Sequence, residues 1–192
     1  MKIYFYFNLA GFSNCYLVVN EETKEALIVD PGKVTGELIE QIETESYKLK
    51  AILVTHSHES HIRGLKTLKK IYDLDVYAAD VETTQTGKTL LKSDGELNIA
   101  GLKVQHMSLP GHTADSMIYK IGQSIFTGDT ISAGRIGATG SLYRKQSLKE
   151  QIRTKIFCHP DNTVLLPGHG PITTVGCEKL YNLDLNEEAE KH

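Results

Sequence analysis

The chain has 192 residues, is 40% hydrophobic and 23% charged, and carries a net charge of −3. Those proportions belong to an ordinary globular protein long enough for a substantial core. They exclude the basic footprint of a nucleic-acid binder and the polybasic patch of an anionic-membrane binder, and no run reaches the ~18 apolar residues of a membrane span.

Cys15, Cys158 and Cys177 are odd in number and lack a CxxC pair. This argues against a disulfide framework or a cysteine zinc knot, and reduced, small apolar side chains are expected. The apolar start, Met1 to Asn8, lacks the long apolar centre of a secretion signal. A cytoplasmic protein acting on a small molecule is expected, with its oligomeric state open.

In chain order, residues 2–7, 15–19 and 26–29 read as strands, the third stopped by Asp30-Pro31-Gly32. That breaker is either a tight turn or a pocket-edge loop. Residues 34–46 have helical spacing of Leu38, Ile39 and Ile42. Residues 49–54 form an apolar strand, and a helix follows with Leu65, Leu68 and Ile71 on one face. Val76-Tyr77-Ala78 is a short strand, and residues 80–101 read as a loosely structured crossing segment with room for one short helix. Strands follow at 102–108, 117–121 and 124–127, then a glycine-rich loop at 132–140. Ser147-Leu148-Lys149-Glu150 has the form of a capping box starting a helix to about Phe157. The last strand is 163–166, a final helix covers 176–183, and the tail 186–192 is expected to fray. Early hairpins followed by alternating strands and helices imply mixed sheets covered by helices, in one domain over 1–192.

Thr55-His56-Ser57-His58-Glu59-Ser60-His61 stands where an apolar strand gives way to a helix, and it holds three of the eight histidines. In extended chain, alternate residues share a side, so His56 and His58 can aim at one point and the turn can bring in His61. Neutral imidazole is a common metal ligand. His112, Asp129 and His169 each follow an apolar strand and adjoin glycine. Loops at strand ends are where a rigid scaffold presents chemistry. Five histidines and a carboxylate form a plausible inventory for two metal ions.

The motifs HSHESH, LPGHT, FTGDT and LPGHG, in this order and spacing, resemble the metallo-β-lactamase superfamily. NCYLV, IVDPG and PGHGPITTVGCEK resemble its short glyoxalase-II-like branch and extend the likeness over nearly the whole chain. The resemblance implies a four-layer αβ/βα sandwich, two mixed sheets with helices on the outer faces. It implies that His56, His58 and His112 bind a first divalent ion, that His61 and His169 bind a second, and that Asp129 bridges both. Zinc is the expected metal, iron or manganese the alternatives, with one or two ions per chain. The implied chemistry is hydrolysis of a thioester or other small ester by metal-activated water.

One position departs from the pattern. The family's first motif reads HxHxDH, and Ser60 stands where the aspartate would be. That aspartate ligates the second metal and accepts a hydrogen bond from the nucleophilic water, and a neutral hydroxyl replaces neither role. The second site is therefore expected to be weak. Glu59 points the opposite way in extended chain and is expected to be a solvated acid or a partner for a histidine; Asp115 is expected to be a turn residue.

Where relatives carry a GRTD-like run, this chain has Gly137-Ala138-Thr139-Gly140. Arg135, Tyr143, Arg144 and Lys145 lie nearby as possible holders of a carboxylate, with plain solvation the preferred reading. Three functions stand: the hydrolase first, then a one-iron oxidoreductase of the persulfide dioxygenase kind, then a non-catalytic metal- or ligand-binding domain.

Overall fold

The computed structural model describes residues 1–84 and 90–186. The first sheet, in order, is β1 (Lys2–Asn8), β2 (Ser13–Val19), β3 (Glu25–Val29), β4 (Lys48–Leu53) and β5 (Asp75–Tyr77). Three short helices follow the motif region: α2 (Glu59–Ile62), α3 (Leu65–Ile71) and α4 (Val81–Thr84), after α1 (Gly36–Thr44) between β3 and β4. The second sheet comprises β6 (Gly95–Ile99), β7 (Leu102–Ser108), β8 (Met117–Ile121), β9 (Ser124–Gly128), β12 (Val164–Pro167) and β13 (Thr173–Thr174). A two-stranded ribbon, β10 (Ile131–Ser132) with β11 (Arg135–Ile136), precedes α5 (Leu142–Lys155), and α6 (Val175–Tyr181) follows β13.

Both sheets bury both faces, and alternation along the strands assigns the layers. In β2, Cys15, Leu17 and Val19 pack with Leu38 and Ile42 of α1 and Leu68 of α3. Tyr16 and Val18 face the other way, against Tyr119, Phe126 and Leu166 of the second sheet. The outer face of the second sheet, including Ile118 and Ile125, packs on Leu148 and Ile152 of α5 and Val175 of α6. Three apolar layers thus separate helix, sheet, sheet and helix, the expected αβ/βα sandwich. The layer between the sheets carries two tyrosines whose hydroxyls find carbonyls: Tyr16 donates to Pro167 O at 2.7 Å, and Tyr119 to Val54 O at 2.7 Å. A buried tyrosine needs such a partner.

The mixed topology places the loops. β3, β4 and β5 run parallel, as do β9 and β12. Parallel neighbours end on the same edge, so Asp30, Thr55, Asp129 and His169, each beyond a strand's C-terminal end, gather there.

Several features differ from the sequence reading, among them the ribbon strand β11 inside the expected glycine-rich loop and the short strand β13. β6 lies inside the expected crossing segment; Leu97 and Ile99 alternate with exposed Glu96 and Asn98, a short run in a polar stretch that pairs antiparallel with β7. The remaining part of that segment, 85–89, and the tail from 187 lie outside the described residues. α5 begins at Leu142, not at Ser147: Ser141 is the cap, its hydroxyl accepting from Arg144 N. The first turn escapes a periodicity search because Leu142 and Tyr143 are exposed. Cys15 is buried as expected, but Cys158 and Cys177 are exposed free thiols.

Candidate metal centre

The extended chain of the first motif stops at His58, and Glu59–Ile62 is a helical turn. Ser60 and His61 therefore sit on α2, not on a continuing strand. Glu59 faces solvent and pairs with Arg63 at 3.0 Å, so it is no ligand of the cluster. Ser60 holds the turn by its backbone, its carbonyl accepting from Ser13 Oγ at 2.7 Å.

His56 Nε2, His58 Nδ1, His112 Nε2 and Asp129 Oδ2 converge. His58 Nδ1 is 2.9 Å from His56 Nε2 and 3.2 Å from His112 Nε2. Asp129 Oδ2 is 3.6 Å from His56 Nε2 and 3.6 Å from His112 Nε2. Ligand atoms of a tetrahedral ion with bonds of ~2.0–2.1 Å lie about 3.3 Å apart, so this spacing fits one. A second group, His61, Asp129 and His169, shares the carboxylate. His61 Nε2 lies 3.5 Å from Asp129 Oδ2, and His169 Nδ1 2.8 Å from Asp129 Oδ1. All six residues singled out as ligands in the sequence are thus brought together.

Glycines make the approach possible. A Cβ at Gly128, whose φ is +49°, would strike Thr55, and one at Gly168 would strike His61 and lie 2.7 Å from Asp129 Oδ1. No other residue lets these loop backbones come so close.

The outer nitrogens of the histidines are tied up as donors. His112 Nδ1 donates to Ala138 O at 2.8 Å, and His169 Nε2 to Gly11 O at 3.1 Å. His61 Nδ1 donates to Asp30 Oδ2 at 2.9 Å. Thr55 donates its hydroxyl to the same oxygen at 2.6 Å, so it accepts from His56 Nδ1 at 3.1 Å. These partners fix the tautomers and leave bare lone pairs at His56 Nε2, His61 Nε2 and His112 Nε2. The lone pairs face each other and a carboxylate. Such a set is stable only around positive charge, either protons or a metal ion. His61 Nε2 is buried with no hydrogen-bond partner among the described residues, which is what a ligand atom looks like without its ion.

Protonation agrees. Burial, then the neighbouring His61, lowers His56 to about 3, so it stays neutral. Burial and His112 also lower His58. Burial alone would lower His61, but Asp30 and Asp129 outweigh it and lift it to about 10. Burial would raise Asp129, but the hydrogen bond with His169 and the close approach of His61 hold it well below the usual carboxylate range.

Two supports escaped the sequence reading of single motifs. Asp30 is buried with a left-handed backbone, φ +52°, and also accepts from Thr55 N at 2.8 Å. The Asp30-Pro31-Gly32 breaker after an apolar strand was the visible signal, and it marks both a turn and the pocket edge. Asp115 accepts from Ser57 N at 2.8 Å, pinning the His112 loop to the first motif.

An αβ/βα sandwich with a histidine–aspartate cluster fit for divalent metal at one edge of its sheets defines a class, the metallo-hydrolase fold. The chain belongs to the metallo-β-lactamase superfamily: the family model described as "Metallo-beta-lactamase superfamily" matches residues 9–170. It is 30% identical to "Hydroxyacylglutathione hydrolase GloC" of Haemophilus influenzae, over 92% of this chain and 94% of that one. It is 29% identical to "Probable metallo-hydrolase YqgX" of Bacillus subtilis, over 91% and 92%. Among solved structures it resembles the BLEG-1 B3 metallo-beta-lactamase, with a TM-score of 0.84 and 27% identity, covering 96% of this chain and all of that one. No helix among the described residues is long and apolar enough to cross a membrane.

Proposed function

We propose that the protein is a metal-dependent hydrolase of small thioesters, similar to glyoxalase II. The observation that carries this reading is the set of lone pairs and one carboxylate turned onto a common centre, with His61 Nε2 buried and unpartnered. In this reading His56, His58, His112 and Asp129 hold the first ion, and His61, Asp129 and His169 hold the second. A divalent ion so held supplies a Lewis acid that polarises a carbonyl and brings the pKa of water to about 7.

The chain's own residues do the rest. Asp129 stays ionised and would serve both groups, of which it is the shared member. Asp30, Thr55, Ala138 O and Gly11 O keep the imidazoles neutral on the inner side and fixed in orientation. The second group has one carboxylate and no replacement for the missing aspartate, since Ser60 is neutral and Glu59 faces solvent. It therefore holds its ion more weakly than the first. Zinc suits a set of imidazole and carboxylate ligands. The 30% identity to a hydroxyacylglutathione hydrolase over nearly the full length supports a glutathione thioester as substrate.

The test is turnover of a hydroxyacylglutathione by protein reconstituted with zinc, manganese or iron, beside a matched oxygen ester. Thioester hydrolysis abolished by His56→Ala and by chelation is the expected result. No turnover with any of the three metals would overturn the reading. Oxygen uptake on a glutathione persulfide by the iron form alone would replace it with the oxidoreductase.

A further inference from the structure

The four basic or phenolic side chains in and just after the glycine-rich loop do not act alike. Lys145 Nζ is engaged by Asp184 Oδ1 at 2.8 Å. Arg135 lies on β11, beside the same carboxylate, which its charge helps hold ionised. Tyr143 and Arg144 are different: both line a cavity of ≈ 210 Å³ together with Pro110, Gly111, Thr113 and Ala114. Those four residues flank His112 on both sides. Arg144 gives its backbone N–H to Ser141 Oγ, and its guanidinium has no ion-pair partner among the described residues.

The cavity is tied to the metal cluster through two contacts. Ala138 O, four residues before α5, orients His112. Gln151 Nε2 on α5 donates to Pro110 O at 3.0 Å. The start of α5 and the His112 loop thus form one wall, and an unneutralised cation on it lines the cavity that flanks His112. The volume is below the roughly 300–1,000 Å³ of pockets that hold whole drug-sized ligands, so it suits one end of a substrate. A planar guanidinium is matched to a carboxylate, which it grips through two parallel hydrogen bonds, and Tyr143 adds a phenolic donor to the lining of the same cavity.

We propose that Arg144, assisted by Tyr143, is a specificity determinant that binds a carboxylate at one end of the substrate, in the cavity beside His112. This rests on the thioester-hydrolase reading for the choice of probe, but its test does not use turnover. Binding of S-methylglutathione, a thioether that cannot be hydrolysed there, and of its diethyl ester, which lacks both carboxylates and keeps the amino group, is measured by calorimetry on the full chain. The wild type is expected to prefer the acid by about tenfold or more, the scale of one charge-assisted hydrogen bond. Arg144→Gln is expected to erase that preference, and Arg144→Lys to restore part of it. Tyr143→Phe is expected to reduce it. Equal binding of the two forms by the wild type, binding of neither, or an undiminished preference in Arg144→Gln would overturn the proposal. Since Arg144 is exposed on the first helical turn, an unchanged melting temperature checks that the variant folds. Failure of the hydrolase reading is seen separately, as absent thioester turnover by wild-type protein.

Discussion

Asp30 Oδ2 accepts the Nδ1–H of His61 at 2.9 Å, and neither side chain is reached by solvent. The carboxylate also takes two bonds from Thr55, so one buried anion aligns both the second-group histidine and the residue that orients His56. Asp30→Asn preserves the left-handed turn, which asparagine tolerates, and removes the charge. We expect a loss of metal affinity of about 10–100-fold, as for other partners of metal-bound histidines. Competition with a chromophoric chelator measures it; unchanged affinity would show that His61 needs no anchor.

Ser60→Asp restores a carboxylate beside the second group. The wild-type protein is expected to keep one ion per chain through dialysis, and the variant two, by elemental analysis. Glu59→Gln is expected to leave the stoichiometry alone, because Glu59 is turned to Arg63 and solvent. Two ions retained by wild-type protein would contradict the proposed weakness of the second group.

Gly168→Ala tests close approach. The added methyl would strike His61 and sit 2.7 Å from Asp129 Oδ1. Moving either side chain by a few tenths of an ångström spoils the shared geometry, so metal affinity should fall by at least about tenfold. Gly134→Ala is not an equal control, since its φ is +80°. Gly36→Ala, with open space around it, is the suitable one, and its affinity should match wild type.

The pH dependence of the metal-free protein has two arms. The folded pKa of His61 is lifted from 6.5 to about 10, so its stabilising contribution is complete below about 6.5 and is lost as pH rises through about 10. His56 is depressed from 6.5 to about 3, so its contribution is present above 6.5 and is lost as pH falls through about 3. Urea unfolding of chelated protein should therefore show a decline in stability on the alkaline side, and His61→Asn should remove that arm. Adding zinc should reverse it, because the ion takes the place of the proton on Nε2. An alkaline arm unaffected by His61→Asn would assign it to another group.

The amino-acid sequence by itself determined most of what is local. Apolar runs such as 26–29 and 124–127 predict strands that the structure contains, and Leu38 and Ile42 point α1 at its sheet, because burial follows the periods of helix and strand. The six candidate ligands were legible because His56, His112, Asp129 and His169 follow such runs and His58 and His61 are closely spaced after His56. Only tertiary structure decided what joins them. The pairing of β3 with β4 sets Asp30 beside Thr55, 25 residues away, and the pairing of β9 with β12 sets Asp129 beside His169, 40 residues away. Tertiary structure also ended the extended chain at His58, turned Glu59 outward, and left Arg144 rather than Lys145 without a carboxylate partner. Spacing along a chain fixes which face a side chain takes, whereas the groups that meet it are fixed by which strands lie side by side.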